Sequence, residues 1–271
     1  MGVPVRRFVP TLQTDPVDKE LVHIPAGILV EIRGDGSLGR EEACMAALAE
    51  QRNVAVFRAS EKQLERGKFR IAPGVLPVGS VQFVKHALRQ SGKSLPEHTP
   101  YPRVLEHLLY RDVKKARSLR EAKALLAEGR RLFLKPADGW KRFTGFVAEF
   151  GDDYRFNGAA GSKPVWISDP VRFLSEWRAY VAHNKVLEIC PADHGGDRAM
   201  GVDVAVVHEA VRLLAVSASA PAGYVIDFGV LDTGKTALIE MNDGFSFGAY
   251  DGVSAETYWA ATVARWRELA G

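Results

Sequence analysis

Apolar and polar residues recur along the first hundred positions with the spacings of both strands and helices. The mostly apolar run from Ile24 to Arg33 is typical of a strand. The run from Gly39 to Gln51 has an apolar face at helical spacing, and a second helix is predicted after Ser80, a residue type that caps helices. Three prolines and no apolar period follow between Gly92 and Pro102. An N-terminal α/β lobe is therefore predicted over residues 1–100.

The pattern changes after this break, because runs with strand spacing become frequent. Helices are predicted over 103–111 and 118–129, and a strand is predicted over 131–137. Two strands joined by a short turn are predicted between 224 and 242, before an amphipathic helix over 256–269. We therefore expect a mixed α/β (α+β) fold whose second part is mainly antiparallel sheet.

Composition and charge place the chain among ordinary globular proteins. Hydrophobic residues make up 46% and charged residues 25%, which argues against a disordered or fibrous chain. A formal net charge of +3 over 271 residues, with both signs interspersed, argues against a nucleic-acid partner. No apolar run approaches the ~18 residues of a membrane-spanning helix. No membrane partner is expected, and the cytoplasm is the expected location.

The hairpin predicted near the C-terminus allows side-chain directions to be worked out. If a two-residue turn at 233–234 joins the strands, Leu231 pairs with Thr236. Counting back along both strands then places Asp227 opposite Glu240. Like charges at such a distance destabilise a sheet unless something compensates for them.

Asn242 lies two residues beyond Glu240 and therefore on the same face of its strand. Two carboxylates and an amide oxygen on one face suit a hard divalent cation such as Mg²⁺. The alternative is a register slip that turns Asp227 or Glu240 to solvent. From the hairpin alone, both interpretations stay open.

The set of Asp227, Glu240 and Asn242 resembles the magnesium-binding hairpin of ATP-grasp enzymes of the D-alanine–D-alanine ligase type. The resemblance covers roughly Tyr101 to the C-terminus, and also the segment 77–88. It implies an ATP-grasp fold, with an N-terminal lobe over 1–100 and an ATP-grasp domain over 101–271. The domain would consist of two mainly antiparallel α+β subdomains, about 101–168 and 169–271, that clasp the nucleotide.

The segment from Phe133 to Val147 resembles the ATP-binding strand and phosphate loop of that superfamily. The resemblance implies that Lys135 contacts the α- and β-phosphates, whereas a lysine on a strand is otherwise usually a solvated edge residue. In the loop, Lys141 and Arg142 add positive charge between glycines that allow close approach of the backbone to phosphate.

Two further segments resemble the parts of ATP-grasp enzymes that bind the adenine base and the ribose. Backbone groups around Ser168, Asp169 and Val171 would bind adenine at the hinge between the subdomains. Glu176 and Arg178 share a face of one strand, and the resemblance puts Glu176 on the ribose hydroxyls and aims Arg178 at the phosphates. The alternative is an exposed ion pair worth ~0–1 kcal/mol.

The chain also departs from the superfamily pattern. Arg111 stands where a phosphate-binding lysine is common, at a position predicted to be helical, and its guanidinium would make a bidentate contact. Val225 replaces a frequent arginine, a role that Arg178 or Arg198 would have to take over. The set of Arg111, Lys135 and Arg178 resembles the clade of ATP-grasp proteins named for its arginine, lysine, arginine signature.

The resemblance implies an ATP- and Mg²⁺-dependent ligase that joins a carboxylate to an amine, so that an amide bond forms through an acyl-phosphate. Its partners would be small molecules or peptides that carry these groups, and the resemblance does not specify which ones. Arg178 would be the catalytic residue. Two alternatives stay open, namely an ATP-dependent phosphotransferase acting on a small molecule, and a non-catalytic protein that binds nucleotide as a signal.

Overall fold

The computed structural model describes residues 12–13, 24–97, 99–137, 143–192 and 196–271. Within these ranges the strands form three separate sheets, and helices pack against them. This confirms the expected mixture of α/β and antiparallel structure. None of the helices in these ranges has the length and apolarity needed to cross a bilayer.

The N-terminal sheet has three parallel strands in the order β3-β2-β4. The strands are β2 (Gly27–Glu31), β3 (Val56–Ala59) and β4 (Val75–Val78), and the helices are α1 (Arg40–Gln51), α2 (Glu61–Glu65) and α3 (Val81–Gln90). The Ser80 hydroxyl accepts the Phe83 N–H at 3.2 Å and so caps α3, as its residue type predicts. The side chains of β2 are fully buried from Ile28 to Val30, because helices pack on both faces of a parallel sheet.

The middle sheet has four antiparallel strands in the order β5-β8-β6-β7. They are β5 (Val113–Ala116), β6 (Leu132–Pro136), β7 (Phe146–Ala148) and β8 (Val165–Ser168), with the helix α4 (Leu119–Ala127) packed against them. Strands β6 and β7 form the predicted hairpin. The 3-10 helix before β5 covers only Arg103–Leu108, so Arg111 lies in an irregular link and not in the predicted helix.

The C-terminal sheet has five antiparallel strands in the order β1-β10-β9-β11-β12. They are β1 (Leu12–Gln13), β9 (Phe173–Ala182), β10 (Lys185–Pro191), β11 (Gly223–Leu231) and β12 (Thr236–Asp243). The helices of this region are α5 (Val204–Val216) and α6 (Ala255–Ala270).

Trp259 of α6 is buried in a core that the N-terminal and C-terminal sheets share. The same core contains Val225, which is fully buried. The N-terminal, middle and C-terminal sheets take their strands from residues 27–78, 113–168 and 173–243, and β1 joins the last sheet by pairing with β10. The lobe boundaries at 100 and 168 stay predictions.

Candidate active site

A cavity of about 1110 Å³ opens where the three sheets approach one another. Helix α3 and the segment after it form one wall, strands of the middle sheet form another, and the ends of β9 and β12 complete it. Eight of the predicted site residues line it: Arg111, Lys135, Ser168, Asp169, Val171, Glu176, Glu240 and Asn242. Lys141 and Arg142 lie outside the described residues, and their predicted role stays a prediction.

Strands β11 and β12 bring two carboxylates opposite each other, since Asp227 pairs with Glu240 as expected. The path to this register differs from the prediction, because Val230 and not Leu231 is opposite Thr236. A β-bulge then adds one residue, Ile239, to β12 and restores the predicted pair.

Asn242 joins the two carboxylates. Its Nδ2 donates to Glu240 Oε1 at 3.0 Å and lies 3.3 Å from Asp227 Oδ2. Glu240 and Asn242 line the cavity, whereas the side chain of Asp227 is only 2% exposed. The three side chains therefore lie together, with Glu240 and Asn242 at the cavity wall and Asp227 buried beside them.

Lys135 of the middle sheet reaches across to the C-terminal sheet, where its Nζ forms an ion pair with Glu240 Oε2. Each of the two side chains is about one-fifth exposed. Lys135 Nζ also lies 5.8 Å from the centre of the Tyr101 ring. The predicted phosphate-binding lysine and one predicted metal ligand are therefore direct neighbours.

Arg178 holds the other carboxylate. Its Nε and Nη2 donate to the two oxygens of Asp227, both at 2.7 Å, and its Nη1 donates to the Gly248 carbonyl at 2.9 Å. Burial by itself would lower the pKa of Arg178. The charge and hydrogen bonds of the Asp227 carboxylate raise it by more, so the pKa of Arg178 lies above its usual value. Arg178 is therefore a permanently charged, 8% exposed partner of Asp227 and not an exposed surface residue.

The donor set fits a hard divalent cation that takes its remaining ligands from phosphate and water. Two carboxylates and an amide offer only oxygen ligands once the Asn242 amide turns its oxygen inward, which is the chemistry that Mg²⁺ prefers. No group of three or more His, Cys, Asp and Glu side chains that could hold a metal occurs in the part of the chain that the structure describes. Asp227 and Glu240 would therefore depend on Asn242 and the nucleotide to complete the shell.

Arg111 is fixed by three backbone carbonyls. Its Nη1 donates to Leu109 and Leu238 at 3.0 and 2.8 Å, and its Nη2 donates to Ile239 at 2.9 Å. Burial lowers its pKa from the usual value. Because Ile239 is the extra residue of the bulge, Arg111 supports the backbone that directs Glu240 into the cavity.

The predicted adenine hinge lies between β8 and β9, where Ser168, Asp169 and Val171 line the cavity. Tyr101, Phe133, Trp166 and Phe173 line it too. The Tyr101 and Trp166 rings meet edge to face at 5.0 Å. An aromatic wall of this kind beside polar groups is typical of a ligand pocket.

The sequence did not single out the residues of α3 and the loop after β12 as site residues. Val81, Gln82, Lys85 and Arg89 line the cavity from one face of α3. Their helical spacing could have shown that they share a face, but only the fold shows that this face meets the cavity. Arg198, the alternative substitute for the arginine absent at Val225, lies 3.6 Å from Asp251 and does not line the described cavity.

The family comparison matches residues 110–261 to an ATP-grasp domain, family 2 of the clade that carries the arginine, lysine, arginine signature. This match covers more than half of the chain and contains every predicted site residue. No curated protein sequence matches the chain significantly.

Solved structures show the same fold. A RimK domain ATP-grasp protein from Sphaerobacter thermophilus is 14% identical, with a TM-score of 0.55 over 90% of this chain and 100% of that chain. D-alanine–D-alanine ligase from Bacillus anthracis is 12% identical, with a TM-score of 0.51 over 90% and 97%. The ATP-grasp ligase PsnB, in complex with a minimal precursor, is 13% identical, with a TM-score of 0.50 over 89% and 100%. The expected ATP-grasp fold is confirmed.

Proposed function

Because the chain belongs to family 2 of this clade of ATP-grasp domains, we propose that it is an ATP- and Mg²⁺-dependent ligase joining a carboxylate to an amine. One observation carries the proposal. Lys135 and Glu240, from different sheets, meet on the cavity wall beside Asn242 and the Arg178–Asp227 pair. A phosphate-binding charge and a set of cation ligands therefore lie together, as phosphoryl transfer requires.

The nucleotide would lie along the cavity from the hinge to the hairpin. Backbone groups near Ser168 and Val171 would hold the base against the aromatic wall, and Glu176 would hold the ribose. Lys135 would leave Glu240 and bind the phosphates, because a phosphate group offers more negative charge than one carboxylate. Lys141 and Arg142 would contribute from the loop between β6 and β7.

Departure of Lys135 would leave Glu240 without its counter-ion and available, with Asp227 and Asn242, as a ligand. A bound Mg²⁺ would supply charge neutralisation at the phosphate oxygens. Arg178 would hold the Asp227 carboxylate in a fixed orientation through its two hydrogen bonds, and its positive charge would help to stabilise the negative charge that develops on the phosphates.

The chemistry needs no side-chain nucleophile. A carboxylate oxygen of the first substrate would attack the γ-phosphorus of ATP, and the bond to the bridging oxygen would break to release ADP. An amine would then attack the acyl-phosphate carbon, lose a proton and expel inorganic phosphate. Positioning and charge neutralisation by the residues around the cavity would supply most of the rate enhancement.

The cavity has room for substrates beside the nucleotide. Its volume of about 1110 Å³ exceeds the roughly 300–1,000 Å³ typical of a pocket for one ligand. We place the carboxylate and amine substrates along the face of α3 that carries Gln82 and Lys85. A small molecule or a peptide end would fit, and PsnB, a ligase of similar fold, has been solved with a minimal precursor.

The test measures ADP release from MgATP in the presence of a library that pairs carboxylates with amines. The proposal expects ADP release over many turnovers to require both substrates, and it expects hydroxylamine to capture the acyl-phosphate as a hydroxamate. Release that is independent of an amine and yields a stable phosphorylated alcohol would instead establish a phosphotransferase. Binding of MgATP without turnover by any pair would favour the non-catalytic protein.

Glu240→Gln provides the matched control for these assays. The glutamine side chain has the size of glutamate but lacks the negative charge that attracts a cation and Lys135. Full turnover by this variant would contradict the proposed site even if the wild-type chain released ADP.

A further inference from the structure

Tyr250, in the loop between β12 and α6, contacts both halves of the proposed site. Its hydroxyl donates to Glu176 Oε1 at 2.9 Å. Its ring lies 4.0 Å from the guanidinium carbon of Arg178, a cation–π distance. Its backbone N–H donates to the Tyr180 hydroxyl at 2.8 Å, which fixes the loop that carries it.

These contacts explain how two charged side chains two residues apart on β9 are kept in different roles. Arg178 is held between the Tyr250 ring and Asp227, while Glu176 accepts the hydroxyl of the same tyrosine and lines the cavity. Burial raises the pKa of Tyr250 well above its usual value, and the Asp227 charge raises it further. The hydroxyl therefore keeps its proton and remains a donor to Glu176.

We propose that Tyr250 is a positioning residue that makes the nucleotide site selective for ribonucleotides. It does so by holding the Glu176 carboxylate where the ribose hydroxyls bind, and its ring supports the Arg178–Asp227 pair at the cation site. The inference rests on the proposed nucleotide function. It adds that one side chain supports both sugar recognition and the cation ligands.

Tyr250→Phe separates the two contacts, because phenylalanine keeps the ring over Arg178 and loses only the bond to Glu176. The dissociation constants of ATP and 2′-deoxyATP are measured with Mg²⁺ for the wild type and this variant. We expect the wild type to prefer ATP, and the preference to fall roughly tenfold in the variant, the effect of a lost hydrogen bond to a charged group. Affinity for 2′-deoxyATP should stay nearly constant.

Tyr250→Leu removes the ring as well. We expect it to show the same loss of sugar preference and, in addition, to need a higher Mg²⁺ concentration for half-maximal binding of ATP. Tyr154→Phe is the control, since Tyr154 is 76% exposed at the start of the 3-10 helix Tyr154–Phe156 and does not line the described cavity, and it should leave both values unchanged.

A double-mutant cycle completes the test. Glu176→Gln should reduce the sugar preference by itself, and Tyr250→Phe should add little in its presence, because both act through one contact. Equal losses of affinity for both nucleotides in Tyr250→Phe would indicate a purely structural residue and overturn the inference. A wild type that binds MgATP without sugar preference would overturn it too, whereas a wild type that binds no nucleotide would overturn the proposed function itself.

Discussion

Arg178 and Asp227 pair across adjacent strands with two parallel hydrogen bonds of 2.7 Å each. Glu240, the carboxylate opposite Asp227, has a different counter-ion, Lys135. Each of the two facing carboxylates therefore has its own positively charged partner, which compensates for the repulsion expected between them. The two pairs differ in burial, since Arg178 and Asp227 are 8% and 2% exposed while Lys135 and Glu240 are 21% and 23% exposed.

This difference predicts unequal effects of removing the two carboxylate charges. Asp227→Asn should lower the free energy of unfolding by ~3–5 kcal/mol, because Arg178 would remain buried and charged without its partner. Glu240→Gln should lower it by no more than ~1 kcal/mol, because Lys135 can turn toward water. Urea unfolding of both variants, without nucleotide, checks this. Similar losses in the two variants would show that the pairs do not differ in the way their burial indicates.

Lys135→Ala should weaken MgATP binding by roughly ten- to a hundredfold, the range for losing a hydrogen bond between charged groups. Calorimetric titration measures this, with Lys114→Ala as the control. Lys114 is 69% exposed, pairs with Asp112 and does not line the described cavity. An affinity equal in both variants would remove Lys135 from the nucleotide site.

Arg111→Lys separates charge from geometry. Lysine keeps the positive charge but cannot bond three carbonyls as the guanidinium does. We expect the free energy of unfolding to fall by ~1–3 kcal/mol, with a smaller loss of MgATP affinity than Lys135→Ala causes. Arg103→Lys, at an exposed position, should change neither quantity. A stable variant with a large loss of affinity would make Arg111 a direct phosphate ligand.

Gly223→Ala should be strongly destabilising, because a Cβ atom there would lie 1.9 Å from the carbonyl oxygen of Ala261 in α6. Either β11 or α6 would have to move, and overpacking of this kind costs about 1–3 kcal/mol or more. Gly161→Ala is the control, since a Cβ atom at that position meets no heavy atom within 4 Å. Thermal unfolding of the two variants should differ clearly, and equal melting temperatures would mean that α6 packs less tightly on β11.

Local patterns predicted the elements well, because strand and helix periods depend on neighbours in sequence. Helices α1 and α3 and the hairpin of β11 and β12 occur where the pattern places them. The pairing of Asp227 with Glu240 was predicted correctly, although the predicted turn length was wrong. The turn has one residue more than expected, and the bulge at Ile239 cancels the error.

Long-range relationships were not predictable in this way. The pairing of Arg178 with Asp227 depends on β9 lying beside β11, a neighbourhood that no local period encodes. The position of Arg111 failed for a different reason. The apolar period there favours a helix, but the chain turns at Tyr110, which has a φ of 50°, and Arg111 then bonds the backbone of β12.

The bulge in β12 changes the phase of the strand. Leu238 and Met241 pack in the core, while the two consecutive residues between them, Ile239 and Glu240, both line the cavity. An unbroken alternation that started from Leu238 would turn Glu240 toward the core. Removal of Ile239 would instead leave a regular strand with Leu238 inside and Glu240 outside, and it would take away one of the carbonyls that Arg111 binds. The extra residue Ile239 therefore supplies a carbonyl that binds Arg111. Its insertion leaves the core residues of the strand in the core and Glu240 at the cavity.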